Sequence, residues 1–278
     1  MNENGTAGGP ARILVIGAHP DDCEVKVGGT ACLWARAGHR VRFVSATDGG
    51  TGHHRIGGIE LVRRRAAEAA RAAEILGVES EILPIPNGGI VPSLEYRGMF
   101  IRMIRRFRPH LIVTHRPWDY HPDHRNTSLL VQDSAYLVTV PNNCPDTPAL
   151  DDNPVIAYMA DTFQKPCPFD PAIVIDVTAV MDTKLDALHA HVSQMYEWIP
   201  FNQGVEAEVP AGDAERRTWL AGRRSLFDEG LAERFRPRLV ERYGPQRAAD
   251  AKYAEAFEIC EYGGRLDDRK RDWLFGGL

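Results

Sequence analysis

The 278-residue chain has no apolar run long enough to cross a bilayer and only five cysteines. These, Cys23, Cys32, Cys144, Cys167 and Cys260, are odd in number, far apart and without a C-x-x-C pair. That excludes a disulfide framework, a cysteine-rich structural zinc site and a dithiol redox motif, and it reads as the reduced thiols of a cytoplasmic protein. An excess of one charge is also missing: 33 Lys and Arg against 38 Asp and Glu leave a formal net charge of -5. No basic face for nucleic acid or an anionic membrane is therefore expected, and a small neutral or mildly polar substrate fits better. Internal repeats and low-complexity tracts are absent. Met1–Pro10 lacks a basic segment, and Ile13–Ala18 is too short for a signal core. The expectation is a flexible tail over residues 1–10 and one domain over 11–278. Nothing in the composition fixes an oligomeric state, and a homo-oligomer is compatible with it.

What is present is an alternation of strand and helix signals. Arg12–Gly17 (RILVIG) is a continuous apolar run, as expected for a strand covered on both faces, and it ends abruptly in the polar stretch His19–Asp22. Apolar residues at helical spacing predict a helix over Gly29–Ala37, Gly38 ends it, and Val41–Ala46 supplies a second strand. The pattern recurs as helix Ile59–Leu76, strand Glu81–Ile85, helix Leu94–Phe107, strand His110–Thr114 and helix Arg125–Val138. This order predicts an α/β fold, a Rossmann-like, mostly parallel sheet with helices on both faces. Beyond Val140 prolines cluster around two further strands, Val155–Met159 and Ile173–Val177, before helical patterns return at Met181–Tyr196 and Ala248–Cys260. The proline-rich stretch is too apolar for a disordered linker, so the reading is a single domain with a C-terminal extension.

Ligands of such a sheet bind beyond the carboxyl ends of the strands, and two histidine clusters fall there. His19-Pro20-Asp21-Asp22 follows the first strand, and His121-Pro122-Asp123-His124 follows the strand ending at Thr114. Residues three apart converge in a loop or a first helical turn, so His19 with Asp22 and His121 with His124 have the spacing of metal donors. Imidazole nitrogens with a carboxylate suit zinc, although the same donors accept Fe2+ or Co2+, and three protein ligands leave a position open for water. One such tetrapeptide reads equally well as a helix N-terminus, with proline in the first turn and aspartates at the positive end of the dipole. Two copies, each after an apolar strand, argue for chemistry. Cys23 reads as a packed residue at a helix start rather than a donor.

Ala18-His19-Pro20-Asp21-Asp22, Glu24 with Gly28-Gly29-Thr30, Thr47-Asp48-Gly49, Arg65 with Glu68, and His121–His124 together resemble the LmbE-like, or PIG-L, superfamily of metal-dependent N-acetylglucosaminyl deacetylases and related amidases. The resemblance spans Arg12 to Ala190. A common pattern of the family puts Glu directly after the paired aspartates; here Cys23 intervenes, and Glu24 is assigned a structural role. The resemblance implies His19, Asp22 and His124 as metal ligands and Asp21 as catalytic base. It further implies His121 as oxyanion donor with Asp123 holding its imidazolium, Arg65 as a contact to the substrate sugar, and Asp48 as a lining residue. The implied reaction is removal of an acyl group from an amide nitrogen of a small N-acylated substrate, an N-acetylglucosamine-type sugar or conjugate. Zinc lowers the pKa of bound water to about 7, and a nearby carboxylate accepts the remaining proton. Whether Asp21 or His121 then protonates the amine stays open.

Two other readings compete. An amidase acting on thiol or amino-acid conjugates would use the same centre, with the aromatic and proline-rich segment from Trp118 and Tyr120 to Trp198 shaping its pocket. A Rossmann-like nucleotide-binding module shares the fold, but Gly17 is followed by His-Pro-Asp-Asp instead of further glycines, and two acids would repel a pyrophosphate. His53 and His54 read as loop surface or pocket wall, not as ligands.

Overall fold

The computed structural model describes residues 9–223 and 230–278. Of the tail expected over residues 1–10, residues 1–8 lie outside that description, while the Gly9 carbonyl accepts from the Trp273 indole at 2.8 Å.

The first half alternates as expected: β1 (Arg12–Gly17), α1 (Asp22–Arg36), β2 (Arg40–Ser45), α2 (Gly58–Leu76), β3 (Glu79–Ile82), α3 (Leu94–Phe107), β4 (Leu111–Thr114) and α4 (Pro122–Leu137). Then come β5 (Val155–Met159), β6 (Ile173–Asp176) and α5 (Met181–Ala190). Short helices follow, α6 (Ile199–Asn202), α7 (Asp213–Gly222), α8 (Leu231–Arg234), α9 (Arg236–Tyr243) and α10 (Pro245–Asp250), before β7 (Ala254–Ile259) and α11 (Asp268–Phe275). The strands form a seven-stranded sheet in the order β3-β2-β1-β4-β5-β7-β6, parallel from β3 to β5, with β7 antiparallel to both its neighbours. The fold is thus a single α/β domain with a mostly parallel sheet.

The continuous apolar run of β1 has its cause in this arrangement. Ile13 and Val15 join a core with Trp34 and Phe257 on one face, while Leu14 and Ile16 join another with Phe100 and Ile104 on the opposite face. Both faces are covered, so neither parity of the strand can be polar. No helix among the described residues is long and apolar enough to cross a membrane.

Two expected helices are corrected. Ala248–Cys260 is not helical throughout: α10 ends at Asp250 and residues 254–259 are β7. Alanines and glutamates favour a helix locally, but the packing has a period of two, with Ala254 and Ala256 in one cluster and Glu255 and Phe257 on the other face. Buried Glu255 accepts from the N–H groups of Gly29 and Thr30 at 2.9 and 2.7 Å and from Lys184 Nζ at 2.7 Å. An added Cβ at Gly29 would lie 2.7 Å from Val177 Cβ, which explains a glycine inside α1. The helix expected over Met181–Tyr196 breaks at His191, and Ser193–Trp198 continues as a π-helical turn. There the Ser193 N–H and hydroxyl donate to Glu68 at 2.9 and 2.6 Å, tying the turn to α2.

Candidate metal centre

β1 and β4 are adjacent and parallel, so the loops after them leave the sheet side by side. β1 ends at Gly17, where an added Cβ would stand 2.8 Å from Asp22 Cβ; the glycine lets the first turn of α1 fold back over the strand. The N–H groups of Ala18 and His19 then donate to Asp22 Oδ2 at 2.9 and 2.8 Å, fixing that carboxylate. On the other loop His121 caps α4 through Nδ1, which accepts from the Asp123 N–H at 3.1 Å, and Pro122 occupies the first turn. Both tetrapeptides are therefore helix starts, and they also meet.

His19 Nδ1, Asp22 Oδ2 and His124 Nε2 form a triangle with sides of 3.4, 3.5 and 3.3 Å. Tetrahedral coordination with bonds of about 2.0–2.1 Å requires donors roughly 3.3–3.4 Å apart, so the residues fit a zinc-like cation. The opposite nitrogen of each imidazole faces a carboxylate. His19 Nε2 lies 3.2 Å from Asp123 Oδ2, and His124 Nδ1 lies 3.1 Å from Asp119 Oδ2. A proton held there leaves the lone pair of each ring directed into the triangle.

Two further histidines lie close. Groups of candidate donors also unite His121 with His19 and His124, and His115 with Asp22 and His124. The hydrogen bonds argue against both as ligands. His121 Nδ1 already accepts from Asp123, so the neutral ring carries its proton on Nε2 and offers a donor, not a lone pair. His115 Nε2 accepts from the Ala18 N–H at 3.1 Å, and its ring stacks on His124 at 4.1 Å between centroids. Burial and the His124 charge push the His115 pKa down to about 4, so this ring is neutral. Burial also lowers the His19 pKa, but hydrogen bonds to Asp123 and Asp22 more than reverse that and raise it to about 9. A cation in the triangle would compete with the second proton of the His19 ring.

The remaining expected residues divide. Burial raises the Asp21 pKa, Arg65 opposes it, Asp22 adds to the rise, and the net shift is upward. Asp123, expected to hold the His121 imidazolium, gives its carboxylate to His19 and to the Gly88 N–H at 2.7 Å instead. Arg65, expected to touch a sugar, is only 2% exposed and bonds Asp21 Oδ1 at 3.1 Å and the Pro20 carbonyl at 3.0 Å. It lies on the buried stripe of α2 with Leu61, Glu68 and Ala69, apart from its charged neighbours Arg63 and Arg64. Asp48 Oδ1 accepts from the N–H groups of Gly50 and Asn87 at 2.9 and 3.0 Å and so ties two loops together. His53 pairs with Glu197 at 2.9 Å and His54 stacks on Phe201, both outside the donor groups. Cys23 is buried, its thiol near the carbonyls of Val15 and Val44, and is no donor here.

Sequence reasoning missed Asp119 and His115. Asp119 carried a signal, an acid two residues before His121 in a loop full of imidazoles. His115 stands directly after β4, outside both histidine tetrapeptides.

A family model for GlcNAc-PI de-N-acetylases, PIG-L, matches residues 14–135. A diacetylchitobiose deacetylase from Thermococcus kodakarensis is 34% identical over 203 residues, covering 68% of this chain and 74% of the relative. A 4-oxalmesaconate hydratase from Pseudomonas putida is 27% identical over 241 residues, 82% of this chain and 90% of that protein. Among solved structures, the 4-carboxy-2-hydroxymuconate hydratase of Pseudomonas putida superposes with a TM-score of 0.69 at 21% identity, covering 93% of this chain and 98% of that one, and shows the shared fold.

Proposed function

The chain belongs to the PIG-L family, and from that premise we propose that it is a metal-dependent N-deacetylase of N-acetylglucosamine-type sugars or their conjugates, carried by residues 11–278. The observation that supports this most directly is the donor triangle whose two imidazoles are each backed by a carboxylate. His19, Asp22 and His124 would hold the cation, zinc by the chemistry of the donors, with Fe2+ and Co2+ as alternatives. A bound cation of this class polarises a carbonyl and acidifies a water.

The protein's own groups account for the proton movements. Asp21, adjacent to ligand Asp22 and held through Oδ1 by Arg65, takes a proton from the attacking water. The Nε2 proton of His121 faces the oxygen that becomes anionic as water adds to the amide carbon. When the C–N bond breaks, acetate leaves on one side and the nitrogen takes up, on the other, the proton that Asp21 accepted from the water, while the neutral His121 ring keeps its single proton on Nε2. Asp123 and Asp119 act through the imidazoles they orient, and Asp48 shapes the loop beside them.

A hydratase reading has the Pseudomonas relative in its favour. A substrate of several carboxylates needs uncommitted cations: Arg64, Arg65 and Arg116 are paired with Glu197, Asp21 and Asp161, whereas Arg125, next to His124, bonds the Asp119 and Tyr120 carbonyls and keeps its charge available. The test is release of free amine from a panel of N-acetylated mono- and disaccharides, sugar conjugates, thiol-conjugate amides and simple amides, before and after chelation, beside loss of absorbance from unsaturated polycarboxylates. Chelator-sensitive amine release is expected. Hydration of a polycarboxylate without any amine release would overturn the reading.

A further inference from the structure

Arg65 and the glycines above it form a device that neither the family resemblance nor the donor cluster explains. The guanidinium is desolvated on the core-facing stripe of α2, and its Nη2 bridges two acceptors on consecutive residues, the Pro20 carbonyl and Asp21 Oδ1. One donor group thereby pins both the peptide that precedes Asp21 and the carboxylate of Asp21 itself. Nη1 reaches the Gly49 carbonyl at 3.4 Å. The loop passes so close that an added Cβ at Gly49 would meet Arg65 Nη1 at 2.8 Å and Cδ at 2.9 Å, and one at Gly52 would meet Nη1 at 2.8 Å. The loop is thus glycine-rich where the guanidinium lies beneath it, and any side chain there would displace the arginine.

We propose that Arg65 is a positioning residue that holds the Asp21 carboxylate in its working orientation, and that Gly52, together with Gly49, whose φ of 70° calls for glycine on its own account, leaves room for its guanidinium. With Oδ1 engaged by Arg65, proton acceptance falls to the other oxygen of Asp21. Both bonds leave one nitrogen, so what sets the guanidinium apart from a lysine ammonium is its fixed plane, with Nη1 turned to the Gly49 carbonyl, against a charge on a flexible stem. The kinetic part rests on the deacetylase reading; the structural part does not.

The test uses Arg65→Met, Arg65→Lys and Gly52→Ala in the metal-loaded full chain. Crystal structures of the variants are expected to show the Asp21 carboxylate turned from its wild-type position, with metal content at the wild-type level. On an amide that the wild type cleaves, Arg65→Met should lose about 100-fold in kcat with KM nearly constant, since displacement of a reacting group by about 1 Å costs that much. Arg65→Lys should recover part of the loss, and Gly52→Ala should fall in the same direction by about tenfold. A rise in KM at unchanged kcat would make Arg65 a substrate contact and overturn the proposal. An unmoved Asp21 carboxylate in Gly52→Ala and in whichever Arg65 variant folds would overturn it as well. The crystallographic comparison decides without turnover, so absence of amine release from every substrate defeats the deacetylase reading alone.

Discussion

Replacing Asp119 tests whether the carboxylates behind the imidazoles set metal affinity. Asp119 uses both oxygens as acceptors, Oδ2 at 3.1 Å from His124 Nδ1 and Oδ1 from the His121 N–H at 2.9 Å. An asparagine has one acceptor for these two sites. If its oxygen keeps the His121 N–H, its amide group donates to His124 Nδ1 and drives the ring proton to Nε2, the nitrogen that points into the donor triangle. If the amide turns round, the His121 N–H loses its partner and the loop that presents both histidines loosens. Either way the cost to a bound cation is that of removing an orienting partner, about 10–100-fold in affinity, or about 1.4–2.7 kcal/mol. Asp119→Asn and Asp119→Ala would be titrated with zinc against a chromophoric chelator. Asp146→Asn serves as control, since Asp146 is an exposed partner of Arg102. Zinc bound by both Asp119 variants within twofold of the wild type would refute the argument.

How far the sequence reached depended on whether a feature is local. β1 and both tetrapeptides were legible because a strand buried on both faces must be continuously apolar, and because a helix start carries its proline and acids with it. β7 was misread for the opposite reason: Ala254–Ile259 prefers a helix by itself and becomes a strand only through β5 and β6, nearly a hundred residues away in the chain for β5. The same limit governed the site. The three-residue spacing of His19 and Asp22 survives folding because both sit in one turn, whereas nothing local announces that Asp123 reaches His19 across 104 positions. Arg65 reads as a substrate contact through its spacing to Glu68, and nothing local sets its burial apart from that of Arg63 and Arg64. Only the register of α2, which places Leu61, Arg65 and Ala69 on one stripe, separates it from them.

Three further substitutions have expected outcomes. Asp21→Asn should retain the cation and the fold yet lose about 10²–10⁴-fold in turnover, and wild-type amine release by this variant would remove Asp21 as the base. Lys184→Met should leave Glu255 buried without its cation and cost about 3–5 kcal/mol in urea unfolding; a loss below about 1 kcal/mol would show that the Gly29 and Thr30 N–H groups suffice. His110, at the far end of the sheet, should make the fold acid-sensitive: burial, then the positive charges of Arg12 and Lys270, lower its pKa from 6.5 to about 4. A histidine with a depressed pKa takes up its proton more readily when unfolded, so its contribution is complete above about pH 6.5 and is lost as pH falls from there toward 4. The ring is half-buried and solvent screening keeps the effect modest. In His110→Asn, which can still accept the Arg12 N–H that His110 Nδ1 accepts at 3.0 Å, thermal stability should fall less than in the wild type over that interval; parallel curves would mean that His110 is not the group responsible.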